Sequence, residues 1–390
     1  MPVSRPLTVV VAPDSFGGAL DAVAAADAIR RGWLSVRPED EVRLRPMADG
    51  GEGTLNALVA GLGNLVERRI AASTDPLGRP ISAEWLWLGP DTAVIEFSSA
   101  AGLARLAPAE RTPASALGAS SRGVGRLVRA ALDAGARRVI LGLGGSGTTD
   151  GGSGLLVELG LRLNDATRSA VEPDGGVALS AVFAVDSSGL DRRLGEIELT
   201  IASDVTAPLT GPRGAARVYG PQKGADPAAV ATLDAALGRW GAALEEGTGR
   251  AVAGMAGAGA AGGAAAGLLA LTNAELRMGA EIISELIGLA DACADADLVI
   301  TGEGRADEQT LSGKAALGVS RVARPRPVVL LCGALGVGIE ILSESGAFDL
   351  VQPIAEGPTE LADAMADTDR LLANAAARLA QAVGLGQLLG

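Results

Sequence analysis

The sequence predicts an α/β protein: a Rossmann-like, doubly wound parallel sheet carrying an inserted, mixed α/β second domain. Short apolar runs rich in β-branched residues at 7–12, 41–45, 298–301, 328–331 and 350–353 end near charged or Gly-rich residues, and they read as buried parallel strands. Helical periodicity follows several of them, at 21–33 and at 361–383, the latter with apolar residues at Leu361, Met365, Leu371, Leu372, Leu379 and Val383. Between the two ends the patterning changes. Residues 69–97 alternate in short runs, I-S-A-E-W-L-W-L and T-A-V-I-E-F, parted by D-P-L-G and G-P-D turns, which is the signature of hairpins. The first domain is therefore expected from 1–68 together with 286–390, and the inserted one from 69–285.

Within the insert, a helix over 122–135 leads into a strand at 139–143, a helical run follows at 155–159, and a further strand is expected at 199–202. A chain of 390 residues exceeds what a single core holds, about 250–300 residues, so two domains are the natural division. The apolar residues are mostly Ala, Val and Leu, and the 55 glycines suggest many βα turns. The stretch 251–274 lacks charge but consists mainly of Ala and Gly, with little transfer energy into lipid, so it reads as a close-packed soluble segment.

Charge and residue usage narrow the chemistry. A net charge of −13 argues against nucleic acid as a partner, since counterion release needs a basic face. Cys293 and Cys332 are too few and too far apart for a disulfide framework, and the N-terminal apolar run is too short for a signal peptide, so a cytoplasmic protein is expected, with no membrane partner. There is no histidine, which removes Ser-His-Asp and Cys-His catalysis and imidazole zinc sites. Acid–base work then falls to Asp, Glu, Lys, Tyr219 or the cysteines, and a metal would sit on carboxylates, as Mg²⁺ or Mn²⁺ does. Two of the 33 basic residues are lysine, leaving 31 arginines. Both lysines, Lys223 in G-P-Q-K-G and Lys314 in L-S-G-K-A, lie against glycines, where a compact point charge beside backbone N–H groups suits phosphate.

The motifs fall where strands end. Asp14 and Ser15 follow the first strand in A-P-D-S-F-G-G, and Asp49 and Glu52 bracket two glycines in P-M-A-D-G-G-E-G-T; these are candidate substrate-binding residues. The segment G-L-G-G-S-G-T-T-D-G-G offers Gly144, Gly145, Ser146, Gly147 and Asp150 as an anion cradle for nucleotide phosphates, although it is not a Walker A loop. Asp204 ends another strand, with Arg217 and Lys223 in the loop beyond. A carboxylate there could take a hydroxyl proton or hold Mg²⁺, while the cations balance charge on a transferred phosphoryl group or bind substrate. In T-G-E-G-R-A-D-E-Q-T-L-S-G-K, Glu303 is a second candidate metal ligand, Arg305 a carboxylate clamp, Asp307 a substrate contact and Lys314 a catalytic cation at a helix start. The string G-A-G-A-A-G at 257–262 matches a dinucleotide fingerprint by letters, but no strand precedes it.

In order along the chain, A-P-D-S-F, M-A-D-G-G-E-G-T, G-L-G-G-S-G-T-T-D-G-G, D-V-T, G-P-Q-K-G-A, G-A-G-A-A-G-G and I-T-G-E-G-R-x-D-x-Q-x-L-x-G-K resemble the bacterial type I glycerate kinases, from about Val9 to Pro353. The resemblance implies an ATP- and Mg²⁺-dependent kinase that converts D-glycerate to 2- or 3-phosphoglycerate and ADP, with its site between two domains. It is compatible with a homodimer. Gly17 stands where the family pattern has lysine, Thr149 and Ala207 where it has asparagine, and Ser203 where it has cysteine. Two other classes remain open at this point: a dinucleotide-dependent hydroxy-acid dehydrogenase using 257–262, and a non-catalytic sensor of organic acids.

Overall fold

The computed structural model describes residues 5–312 and 315–389, so Lys314 lies outside the described residues. The chain packs as two units. One comprises Met1–Asp49, Asn56–Asn64 and Ala280–Gly390; the other comprises Gly50–Leu55 and Leu65–Gly279.

The first unit is built on a five-stranded, all-parallel sheet in the order Leu350–Pro353, Val328–Leu335, Leu298–Ala306, Thr8–Val11, Glu41–Leu44. Val9 pairs with Leu298 on one side and with Val42 on the other. All five expected strands are present, but not all are buried. Glu41–Leu44 and Leu350–Pro353 contain no fully buried residue, because each is an edge strand with a single neighbour. Helix Ala22–Val36 begins where the Asp21 carboxylate accepts from the Ala24 N–H at 2.8 Å, and it sends Ile29 and Trp33 into the core. Beneath Trp33, the Asp40 carboxylate takes the indole N–H at 2.9 Å, the Arg37 guanidinium at 2.6 Å and the Leu7 N–H at 3.0 Å.

The expected helix over 361–383 is two helices, Leu361–Ala366 and Thr368–Leu389. They part at Asp367, where the buried Thr368 hydroxyl donates to the carbonyls of Ala364 and Met365. Only the second helix feeds the core: Leu371, Leu372 and Leu379 are buried, whereas Leu361 and Met365 are exposed.

The second unit holds a six-stranded mixed sheet. Glu275–Arg277, Glu198–Ala202, Arg138–Gly142 and Thr92–Glu96 run parallel, and Pro80–Leu88 and Val66–Thr74 complete it as an antiparallel meander. Helix Arg122–Asp133 precedes its strand as the sequence pattern requires. The long helix Pro227–Thr248 buries Trp240, whose indole N–H donates to the Gly151 carbonyl at 3.0 Å. Among the described residues no helix is long and apolar enough to cross a membrane.

Candidate active site

In the first unit the strand order reverses between Thr8–Val11 and Leu298–Ala306: the strands that follow each one step away to opposite sides. The carboxyl edge at such a reversal is where open α/β sheets bind ligands. Two sequence motifs meet there. The Asp14 N–H donates to the Gly302 carbonyl at 2.8 Å, and a Cβ on Gly304 would come within 2.9 Å of the Gly17 nitrogen. Asp14, Ser15, Glu303, Arg305 and Asp307 therefore share one edge. Glu303 is buried and accepts from the Thr310 hydroxyl at 2.6 Å. Arg305, with 63% of its side chain exposed, faces the Asp307 carboxylate at 3.4 Å. Asp49 is exposed, on the extension of Glu41–Leu44 where the Met47 N–H donates to the Pro13 carbonyl.

The second unit contains a cavity of about 330 Å³ lined by Gly144, Gly145, Ser146, Glu52, Arg111, Tyr219 and Lys223, among others. Its floor is the predicted glycine loop. Gly144 donates to the Gly50 carbonyl at 3.1 Å, and a Cβ on Gly144 would lie 2.2 Å from the Gly51 Cα, so only glycine lets the two turns touch. The turn bearing Glu52 is held from behind by Glu96, which accepts from the Leu55 N–H at 2.7 Å and the Ser98 hydroxyl at 3.2 Å; burial raises the Glu96 pKa to about 6. Lys223 is 2% exposed. Its ammonium donates to the Ser146 hydroxyl at 3.0 Å and the Thr148 carbonyl at 2.5 Å, and burial lowers its pKa to about 7 against a smaller opposing pull from Asp150. Tyr219 is pushed up by burial as well.

Other expected residues sit elsewhere. Asp150 is fully buried and engaged: its carboxylate accepts from the Ser121 N–H and hydroxyl at 2.8 and 2.7 Å, and from the N–H groups of Gly152 and Gly154. It ties the glycine loop to helices Arg122–Asp133 and Ser153–Glu158. Gly147 is likewise in the scaffold, donating to the Ala101 carbonyl at 2.8 Å. Arg217 is exposed and pairs with Asp234 at 3.1 Å. Asp204, at the carboxyl end of Glu198–Ala202, accepts from the Gly279 N–H at 2.7 Å, and its neighbour Val205 lines the cavity. The fingerprint-like glycines serve packing: a Cβ on Gly262 would strike the Thr148 carbonyl at 2.1 Å, and Ala261 beside it, also in the cavity wall, has φ +49°. Both cysteines are buried, with thiols raised to about 11 and about 12, so neither is an acid–base group at neutral pH. Arg111 was missed, because A-E-R-T-P carries no motif and the residue is one of 31 arginines.

Among the described residues, no three acidic or cysteine side chains converge as a metal cage. Mg²⁺ does not need one. It keeps several waters and is commonly held by one or two carboxylates with substrate phosphates, a part that Asp204, just past Glu198–Ala202, or Glu303, within Leu298–Ala306, could supply.

Residues 9–384 match the model of the glycerate kinase family. The chain belongs to that family. It is 41% identical over 387 residues to a glycerate kinase of Bacillus subtilis (strain 168), with 98% of this chain and 99% of the relative covered. It is 38% identical over 343 residues to a glycerate 2-kinase of Escherichia coli (strain K12), covering 87% and 88%. A crystal structure of a proposed glycerate kinase 2 from Salmonella typhimurium LT2 superimposes with a TM-score of 0.83 at 38% identity, covering 98% of this chain and all of that one.

Proposed function

We propose that this chain is an enzyme phosphorylating D-glycerate, with ATP as donor and Mg²⁺ as its companion ion. The observation that carries the reading is the second unit's cavity, where a buried lysine stands over a glycine loop in a protein of net charge −13. Phosphoryl transfer needs positioning and charge neutralisation more than covalent chemistry, and that is what these residues can supply. Lys223 and the N–H groups around Gly144 and Gly145 would hold the phosphates, and Asp204 would take the hydroxyl proton or bind the metal. Arg305, with Asp14 and Ser15, would orient the acid. Lys314 and Asp307 complete the set on family pattern. When bound, Mg²⁺ would neutralise charge on the nucleotide phosphates. The dehydrogenase alternative loses its structural basis, since Gly262 packs against Thr148 instead of opening a phosphate turn after a strand.

The test is a coupled ADP-release assay with a panel of small hydroxy acids, followed by NMR of the product to identify the phosphorylated hydroxyl. ADP release with D-glycerate is expected. Saturable glycerate binding with no ADP release under any Mg²⁺ concentration would instead favour an organic-acid sensor.

A further inference from the structure

Arg111 lines the cavity beside Lys223, and a closed run of contacts joins the two cations into one ring. The Arg111 guanidinium donates from Nε to the Leu106 carbonyl at 3.2 Å and from a terminal nitrogen to the Leu103 carbonyl at 3.3 Å. The Leu103 N–H in turn donates to the Gly145 carbonyl at 2.8 Å, and Gly102 bridges to Ser146. Ser146 receives the Lys223 ammonium. The ring closes through the backbone: Gly224, at φ +96°, lies so near Arg111 that a Cβ there would come within 2.3 Å of the Arg111 carbonyl carbon. The loop that floors the cavity therefore sets the position of both cations.

Among the described residues, the hydrogen bonds that hold Arg111 and Lys223 end on Leu103, Leu106, Ser146 and Thr148. Both are held by neutral oxygens. Two of five guanidinium N–H groups and two of three ammonium N–H groups are used, so each keeps donors to spare. Lys223 is buried and its charge is offset only in part by the pull of Asp150, so an anion that enters the cavity lowers the cost of that burial.

We propose that Arg111 and Lys223 form a two-cation clamp on the polyphosphate of the phosphoryl donor, with Arg111 as a donor-specificity residue. This rests on the kinase reading above. A polyphosphate is favoured over the acid's carboxylate by the volume, which falls in the range of cavities for ligands larger than a three-carbon acid, and by the pairing of a planar fork with a point charge over a glycine floor.

The test uses inorganic tripolyphosphate as the probe, with binding to the intact protein followed by calorimetry. Arg111→Gln is expected to weaken tripolyphosphate by about tenfold or more and to raise the KM for ATP similarly, with the KM for glycerate within about twofold of the parent. Arg111→Lys, which keeps the charge and removes the fork, is expected to recover only part of that loss. It carries the test should the glutamine variant melt early. Parental tripolyphosphate affinity in both variants would overturn the clamp, as would a selective rise in the KM for glycerate. The kinase reading fails separately: no ADP release with any hydroxy acid would overturn it, while tripolyphosphate binding and its dependence on Arg111 would persist.

Discussion

Lys223 is a lysine whose neutral form is accessible near physiological pH, because its surroundings desolvate the charge. The sign of its pH effect differs for folding and for binding. Its folded pKa, about 7, lies below the ordinary value of 10.5, so between those values the unfolded chain binds more protons and this residue makes unliganded stability rise with pH. An anion in the cavity favours the ammonium instead, so affinity for tripolyphosphate or ATP should fall as pH rises above about 7, approaching tenfold per unit at most. Lys223→Met should flatten both slopes, as read by calorimetry and thermal melts from pH 6 to 9; unchanged slopes would remove Lys223 from the site. Gly17 presents a separate residue-level case. It has φ +56°, and nothing lies within 4 Å of a Cβ built there, so a lysine side chain has room but its backbone costs about 1–2 kcal/mol. Gly17→Lys should lower stability by that amount and change kcat/KM for glycerate by less than about tenfold. A hundredfold gain would mean that the natural chain lacks a catalytic charge.

Two glycines in long helices predict opposite outcomes for the same substitution. In helix Ala22–Val36, a Cβ on Gly32 would sit 2.0 Å from the Ala373 carbonyl oxygen of helix Thr368–Leu389, so Gly32→Ala must push two helices apart and should cost about 1–3 kcal/mol. Gly238, exposed on helix Pro227–Thr248 with nothing within 4 Å, should gain about 0.5–1 kcal/mol on mutation to alanine. Chemical denaturation of both variants checks the pair. Elements were legible in the sequence wherever a local period carried them: the strands at 298–301, 328–331 and 350–353 and the 69–97 hairpins all appear, with ends shifted by a few residues. What local pattern does not encode is neighbourhood. It could not show that Glu41–Leu44 is an edge strand, that Asp150 turns inward to Ser121, or that Arg217 finds Asp234. Asp14 was readable because the end of its strand is marked by composition, whereas Glu303, expected beyond a strand ending at 301, lies inside Leu298–Ala306, where glycines at 302 and 304 did not stop the pairing. Arg111 was not readable, since only the fold brings Gly224 against it.

At the scale of the whole chain, the second unit is nearly continuous in sequence, Leu65–Gly279 with the short Gly50–Leu55 turn, and it has its own core around Trp240, Leu141 and Ile201. A fragment spanning 50–279 should therefore fold cooperatively and bind tripolyphosphate, as seen by circular dichroism melts and calorimetry. A fragment beginning at 65 should fold but bind weakly, because the turn that meets Gly144 is gone. A non-cooperative melt for the longer fragment would show that its core depends on the remaining chain. The first unit has no such independence, and its split composition sets a biosynthetic timetable. Thr8–Val11 leaves the ribosome about 290 residues before its partner Leu298–Ala306. At about 5–20 residues per second this is a wait of roughly 15–60 s, during which the entire second unit has been made and can close. A nascent chain thus carries an apolar segment with unpaired strand edges past a finished neighbour, so its demand on chaperones falls on its first fifty residues and ends only when the last quarter of the message has been read.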